Sequence, residues 1–293
     1  MPELPDVTVY VEALQQRLVG QPLVALRISN PFVLRTFDPP AAALAARSVV
    51  AVRRMGKRIV VEFEDELFAI IHLMIAGRFR WLPPKAKIPG KLGLAAFDFE
   101  KGTLLLTEAG SRRRASLHLV RGRESVAAHD PGGLEVLETS LQRFQATLTA
   151  SRHTLKRSLT DPHFFSGIGN AYSDEILHRA RLSPVQLTTN LSDDEIAQLF
   201  EATRTTLIDW TERLRQERGD GFPEKVTAFR EGMAVHGRYN QPCPDCDTPV
   251  QRIVYAQNET NYCARCQTGG RLLADRALSR LLHSDWPKSI DEL

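Results

Sequence analysis

The chain is 293 residues long, 43% hydrophobic and 25% charged. These are the proportions of an ordinary folded protein, so global disorder is excluded and there is room for two domains and a small appendage. The net charge of +3 permits a polyanionic partner without demanding one, no apolar run approaches the ~20 residues of a membrane span, and Glu3 stands where a secretory leader carries Lys or Arg, so a cytoplasmic protein is expected.

A first helix is expected over 6–19. Pro5 stands at its start, Gly20 follows its end, and Val7, Tyr10, Val11, Leu14 and Leu18 share one face. Eight runs rich in Val, Ile and Leu come next, at 22–29, 48–54, 58–63, 67–74, 77–82, 93–98, 103–107 and 115–120, with Gly56, Gly77 and Gly102 between several of them. Repeated short strands of this kind predict an antiparallel sandwich or barrel. An Ala-rich short helix is expected at 40–47. Near 130–133 the pattern turns helical and remains so to about 217, with Ser192 and Glu195 as a capping box ahead of Ile196, Leu199, Phe200, Leu207, Trp210 and Leu214. Residues 215–224 read as a mobile loop, 236–269 as a cysteine module, and the remainder as a short helix and tail. The fold class is therefore α+β and multidomain, divided at 1–130, 131–230, 231–270 and 271–293.

Two places carry chemistry. At the amino terminus, the small residue Pro2 allows removal of Met1, which exposes a secondary amine. An α-amino group titrates at about 7.7–8.0, so a neutral, nucleophilic fraction exists at physiological pH. A secondary amine gives a charged iminium on attacking a sugar C1′, and that electron sink permits β-elimination of the 3′ phosphate. Glu3 is placed to shuttle the proton, and Lys57, at a turn entering a strand, to supply positive charge. The bland alternatives are a helix-start glutamate and a surface lysine. In the second place, Cys243 and Cys246 form one CxxC pair and Cys263 and Cys266 another, sixteen residues apart. That spacing in a reducing compartment predicts one structural zinc with no open coordination position, against two disulfides or a redox pair. A β-hairpin is expected between the pairs, over 249–256 and 260–262.

Met1-Pro-Glu-Leu-Pro-Asp-Val7, Gly56-Lys57, Phe165-Ser-Gly-Ile-Gly-Asn-Ala-Tyr-Ser-Asp-Glu175 and the two cysteine pairs occur in one order over almost the whole chain. Together they resemble the formamidopyrimidine-DNA glycosylase and endonuclease VIII family. The resemblance implies an N-terminal antiparallel β-sandwich with a leading helix, then a helix–two-turn–helix domain with a C-terminal zinc finger, and damaged double-stranded DNA as partner of a monomer associated with the nucleoid. It implies Pro2 as the Schiff-base residue, Glu3 as proton donor and acceptor, Lys57 as a phosphate contact that assists elimination, and Lys156 as a further lysine on DNA. Glycines in the 167–170 turn let the backbone approach a phosphate, the following helix aims its N–H groups at the anion, and Asn170 can add a hydrogen bond. The alternative for that turn is an ordinary glycine-rich connection capped by Asn.

Departures from the family pattern bear on the substrate. Asp6 stands where the family has Glu. Asn258 occupies the place of an arginine on the finger hairpin, which weakens a phosphate clamp and slows a late elimination step. A DNA-contacting histidine after residue 84 is missing, with Lys91 as a weak substitute. Ile75 or Met74 is the candidate wedge inserted into the DNA stack, the alternative being a buried strand end. Arg112, Arg113 and Arg114 replace an Arg-Arg-Phe loop, so Arg112 and Arg113 are DNA-contact candidates while Arg114 puts charge in place of an aromatic wedge; a solvated basic turn is the alternative. The implied activity is base excision with abasic-site cleavage; a DNA-binding protein without excision, and a lyase confined to abasic sites, stay open.

Overall fold

The computed structural model describes residues 1–110, 112–224, 230–255 and 258–292, without the side chains of 255, 258, 276–278 and 284. The chain groups into two compact units, one made of Met1–Pro131 with Trp210–Thr227 and the other of Gly132–Asp209 with Ala228–Leu293.

The first unit opens on helix α1 (Leu4–Leu18). Eight strands follow: β1 (Leu23–Ile28), β2 (Val49–Met55), β3 (Arg58–Phe63), β4 (Leu67–His72), β5 (Gly77–Leu82), β6 (Gly93–Phe99), β7 (Gly102–Glu108) and β8 (Ser116–Arg121). They form two four-stranded sheets, in the orders β1-β6-β7-β5 and β2-β3-β4-β8, with every neighbouring pair antiparallel. All eight strands fall where the sequence places them. Ile59, Val61 and Phe63 of β3, Leu67, Ala69 and Ile71 of β4 and Leu117 and Leu119 of β8 enter the main core with Val7, Tyr10, Leu14 and Leu18 of α1. Their in-between neighbours Val60, Phe68, Ile70 and Val120 form a second cluster with Val126 of the short helix α2 (Arg123–Ala127). A sheet buried on both faces loses strict polar alternation, which is why the sequence shows only a partial one.

The second unit contains α3 (Leu141–Thr149), α4 (Leu155–Thr160), α5 (Asn170–Arg179) and the beginning of α6 (Asp193–Arg218). Phe144 joins them, its ring 5.0 Å from that of Phe165 and 5.2 Å from that of Phe200. The capping box at α6 is formed: Ser192 N–H donates to Glu195 Oε2 at 2.8 Å and Glu195 N–H to Ser192 Oγ at 3.2 Å. Beyond it come the hairpin β9 (Gln251–Tyr255) and β10 (Asn258–Tyr262), then α7 (Ala264–Thr268) and α8 (Arg276–Leu282). The C-terminal segment packs Leu272, Leu273 and Ile290 against Tyr262 and Ala264 of the finger. Asp275 Oδ2 accepts the Val254 N–H at 2.7 Å on the hairpin.

Three boundaries differ from expectation. Helix α1 starts at Leu4 rather than 6 because Glu3 is its N-cap and Pro5 lies inside its first turn. Residues 40–47 hold a single 3-10 turn, Ala41–Leu44, in place of a longer helix. The loop expected from 215 begins later, since α6 continues to Arg218 with Arg215 paired to Glu12 at 2.6 Å and to Glu212 at 3.3 Å; residues 225–229 lie outside the described residues. No helix among the described residues is long and apolar enough to cross a membrane.

Candidate functional site

In the first unit the site begins at the N-terminus of α1. Glu3 and Asp6 form a reciprocal cap: the Glu3 side chain accepts the Asp6 N–H, and the Glu3 N–H donates to Asp6 Oδ2 at 2.9 Å. Both carboxylates are buried, at 1% and 2% exposure. The shorter Asp6 thus reaches its backbone partner from within the first turn, while Pro2 lies buried just before it. The amine that ends the chain at Met1 is held below its ordinary value of 8.0. Burial is the main cause; Arg78 and Lys57 push the same way, and Glu3 and Asp6 push back. Amine, carboxylate and lysine therefore feel one another.

Lys57 is delivered by Gly56, whose φ of +59 turns the chain between β2 and β3. Glycine adopts that left-handed conformation without steric penalty. Burial lowers the Lys57 ammonium and Glu3 opposes it. His72, at the end of β4, is lowered to about 4 by burial, then by Arg58, Lys57 and His118. His118 is lowered to about 4 as well, by burial and then by His129, whose ring centre is 4.6 Å away.

The turn after β4 settles one open alternative. Gly77 N–H donates to Leu73 O at 2.8 Å, and a Cβ at Gly77 would meet that oxygen at 2.2 Å, so only glycine closes the turn. Ile75 projects at its tip, 60% exposed, which is the opposite of a buried strand end. Arg78 Nη1 braces the same turn through Gly77 O at 2.6 Å and Ile75 O at 3.1 Å. The arginine loop is pinned at its base, where the buried Glu108 carboxylate accepts the N–H groups of Arg114 at 2.9 Å and Ala115 at 3.0 Å. Arg112, Arg113 and Arg114 are all exposed, and the Arg113 guanidinium donates to Lys91 O.

In the second unit the 167–170 turn carries Gly167 at φ +80 and Gly169 as N-cap of α5. Asn170 is the first helical residue, and its Nδ2 donates to Glu259 O on β10 at 2.8 Å. Lys156 spends two of its three donors internally, on Asn170 O at 2.7 Å and Asp174 Oδ1 at 2.5 Å. The other Asp174 oxygen lies 2.7 Å from His236 Nδ1. Glu175 accepts the N–H groups of Ala234, Val235 and His236 at 2.7, 3.0 and 2.9 Å. Asp174, Glu175 and His236 form a buried hydrogen-bonded network that sequence reasoning left unassigned; the first two stand inside the 165–175 motif, whereas His236 carries no local signal.

The four cysteines meet as expected. Their sulfur atoms lie within 4.8 Å of one another and none is in a disulfide. Cys243 and Cys266 are 3.9 Å apart, and Cys246 stands 3.4 Å from both Cys263 and Cys266. Four thiolates at a Zn–S distance of about 2.3 Å around a tetrahedral ion would be spaced by about 3.8 Å, so this donor set fits zinc. Burial pushes the Cys266 thiol up to about 11 and Cys263 higher still, a penalty that a divalent cation removes by binding the thiolates. The side chain of Asn258, the remaining candidate, lies outside the described residues.

The comparisons with known proteins agree with this architecture. Residues 1–117 match the formamidopyrimidine-DNA glycosylase N-terminal domain, 133–214 the formamidopyrimidine-DNA glycosylase H2TH domain, and 240–269 the zinc finger found in FPG and IleRS. A formamidopyrimidine-DNA glycosylase of Solibacter usitatus is 30% identical over 275 residues, covering 91% of this chain and 99% of the relative. One from Thermus thermophilus is 32% identical over 286 residues, covering 92% and 100%. Among solved structures, a complex between the Lactococcus lactis Fpg and an abasic site containing DNA superimposes with a TM-score of 0.80 at 23% identity, covering 91% of this chain and 99% of that one.

Proposed function

The chain belongs to the formamidopyrimidine-DNA glycosylase family, and on that premise we propose that it excises damaged bases from double-stranded DNA and cleaves the resulting abasic site from Pro2. The observation that carries the reading is the buried amino terminus set among Glu3, Lys57 and Arg78. With Met1 removed, the Pro2 nitrogen becomes the amine. Burial and nearby cations favour its neutral form, whose lone pair attacks C1′ of the extruded nucleotide as the base departs. The proton that the Pro2 nitrogen loses on bonding C1′ passes to the Glu3 carboxylate and from it to the ring oxygen as the sugar opens, leaving an iminium between Pro2 and C1′. Loss of a C2′ proton then expels the 3′ phosphate, with Lys57 beside the departing charge.

Ile75 fills the gap left by the extruded nucleotide, and unpairing costs least at a damaged base. Arg112 and Arg113 meet phosphate or the opposite base, and Asn170 with the N-terminus of α5 meets a backbone phosphate. Lys156 acts chiefly by holding Asp174 and the first turn of α5, keeping one donor for DNA. One structural zinc is held by the four cysteines. The protein acts as a monomer in the cytoplasm. The proposed segments are 1–130 for catalysis, 131–230 for the helix–two-turn–helix domain, 231–270 for the finger and 271–293 for its cover.

Borohydride trapping on abasic duplex tests this once mass spectrometry has established that Met1 is gone. A covalent adduct mapped to Pro2 is expected; no adduct, or one mapped to a lysine, overturns the assignment. Running the same assay on intact oxidised-base duplexes separates excision from cleavage confined to pre-formed abasic sites.

A further inference from the structure

Helix α5 faces the finger on three successive turns. Asn170, Asp174 and His178 are spaced by four residues and so share one helical face. Asn170 holds Glu259 of the hairpin, Asp174 holds His236 and His178 reaches the first knuckle. The His178 Nε2 lies 3.3 Å from Cys243 Sγ, and the two residues are 4% and 0% exposed. The nearest carboxylate oxygen to that nitrogen, Asp245 Oδ2, is 4.0 Å away, beyond a hydrogen bond. Just past the helix, Arg181 donates to Asp245 at 3.0 Å, and its guanidinium faces Cys266.

We propose that His178 is an outer-sphere positioning residue of the zinc site, its Nε2–H donating to the Cys243 thiolate. A zinc-bound thiolate carries no proton, so the hydrogen between sulfur and nitrogen has to come from the imidazole; this fixes the Nε2–H tautomer. Four thiolates around a divalent ion leave two net negative charges in a buried place. A hydrogen bond from outside the knuckles spreads part of that charge and fixes the orientation of Cys243. The donor sits on the helix whose first residue is Asn170, about 12 Å away at 1.5 Å per residue, so one rigid rod ties the metal to the glycine turn. Neither CxxC pair supplies this contact, and nothing in the linear spacing of the cysteines points to it.

The test uses the zinc-loaded full chain. His178→Phe keeps a ring and removes the donor; His178→Gln restores an N–H. Chelator-driven zinc release should be about tenfold faster in the Phe variant, in the range of lost outer-shell partners, and recover part of the way in Gln. In cobalt-loaded protein the sulfur-to-metal charge-transfer band should move to lower energy in the Phe variant and return in Gln, which a packing role alone would not produce. Wild-type release kinetics and an unmoved band in the Phe variant overturn the proposal. If that variant does not fold, the wild type decides: a long-range proton–nitrogen spectrum of the zinc form should show His178 protonated at Nε2, and an Nδ1–H tautomer overturns it.

Discussion

The two units bury charge for opposite ends. Around the amino terminus, burial displaces protonation: the terminal amine, Lys57 and His72 are all driven toward their neutral forms. Around α5, each buried charge meets a partner at hydrogen-bond distance, Lys156 with Asp174, Asp174 with His236, Glu175 with three N–H groups. Lowering the terminal amine enlarges its neutral, nucleophilic fraction. A charge matched by its neighbours gains rigidity instead. The contrast sets the proposed reacting side of this protein against the side that holds.

Metal removal probes the holding side most severely. Structural zinc contributes about 10–16 kcal/mol in finger peptides, so chelation should lower the calorimetric melting of the second unit by on the order of 10 °C or more while leaving the sandwich transition in place; a shared, unshifted transition would break the contrast. On the reacting side, Glu3→Gln should slow strand cleavage by roughly 10²- to 10⁴-fold with little change in urea stability, because the amide still accepts the helix N–H. Asp174→Ala leaves Lys156 and His236 buried without their shared partner and should cost about 3–5 kcal/mol in urea unfolding, where a surface carboxylate would cost almost nothing.

Acid sharpens the comparison further. His72 and His118 titrate near 4 in the folded chain and near 6.5 when unfolded. Between those values the unfolded state binds more protons, so stability is complete above about pH 6.5 and declines as pH falls toward 4. The loss should be on the order of 2 kcal/mol after solvent screening, and His118→Gln should flatten the slope of urea midpoint against pH. The smallest effect is expected from Asp6→Ala, which removes one cap and should cost about 1 kcal/mol, again by urea midpoint.

The strands were legible because β-branched runs separated by glycine have no competing helical reading, and the cysteine pairs because metal geometry constrains their spacing. Pro2, Glu3 and Lys57 could be proposed for chemistry from sequence because an amine, a carboxylate and an ammonium stand in the order the family uses. Other features depended on tertiary placement. The end of α6 hid behind glycines, since the pairing of Arg215 with Glu12 lies 203 positions away in sequence. Ile75 read equally as core or tip until the Leu73–Gly77 hydrogen bond placed it outside. His178 sits in a helical run whose periodicity says only that it is buried; that it reaches sulfur is a property of the packed knuckle.

The hairpin of the finger has two strands among the described residues, and such a ribbon has two margins without a neighbouring strand; on β10 the Glu259 carbonyl accepts from Asn170. One backbone donor on β9, the Val254 N–H, is already taken by the Asp275 carboxylate brought up by the C-terminal segment. A margin closed in this way cannot template another chain at that point. Shortening the chain before Asp275 should free this donor, and light scattering at rising protein concentration would register any strand pairing that the carboxylate now blocks.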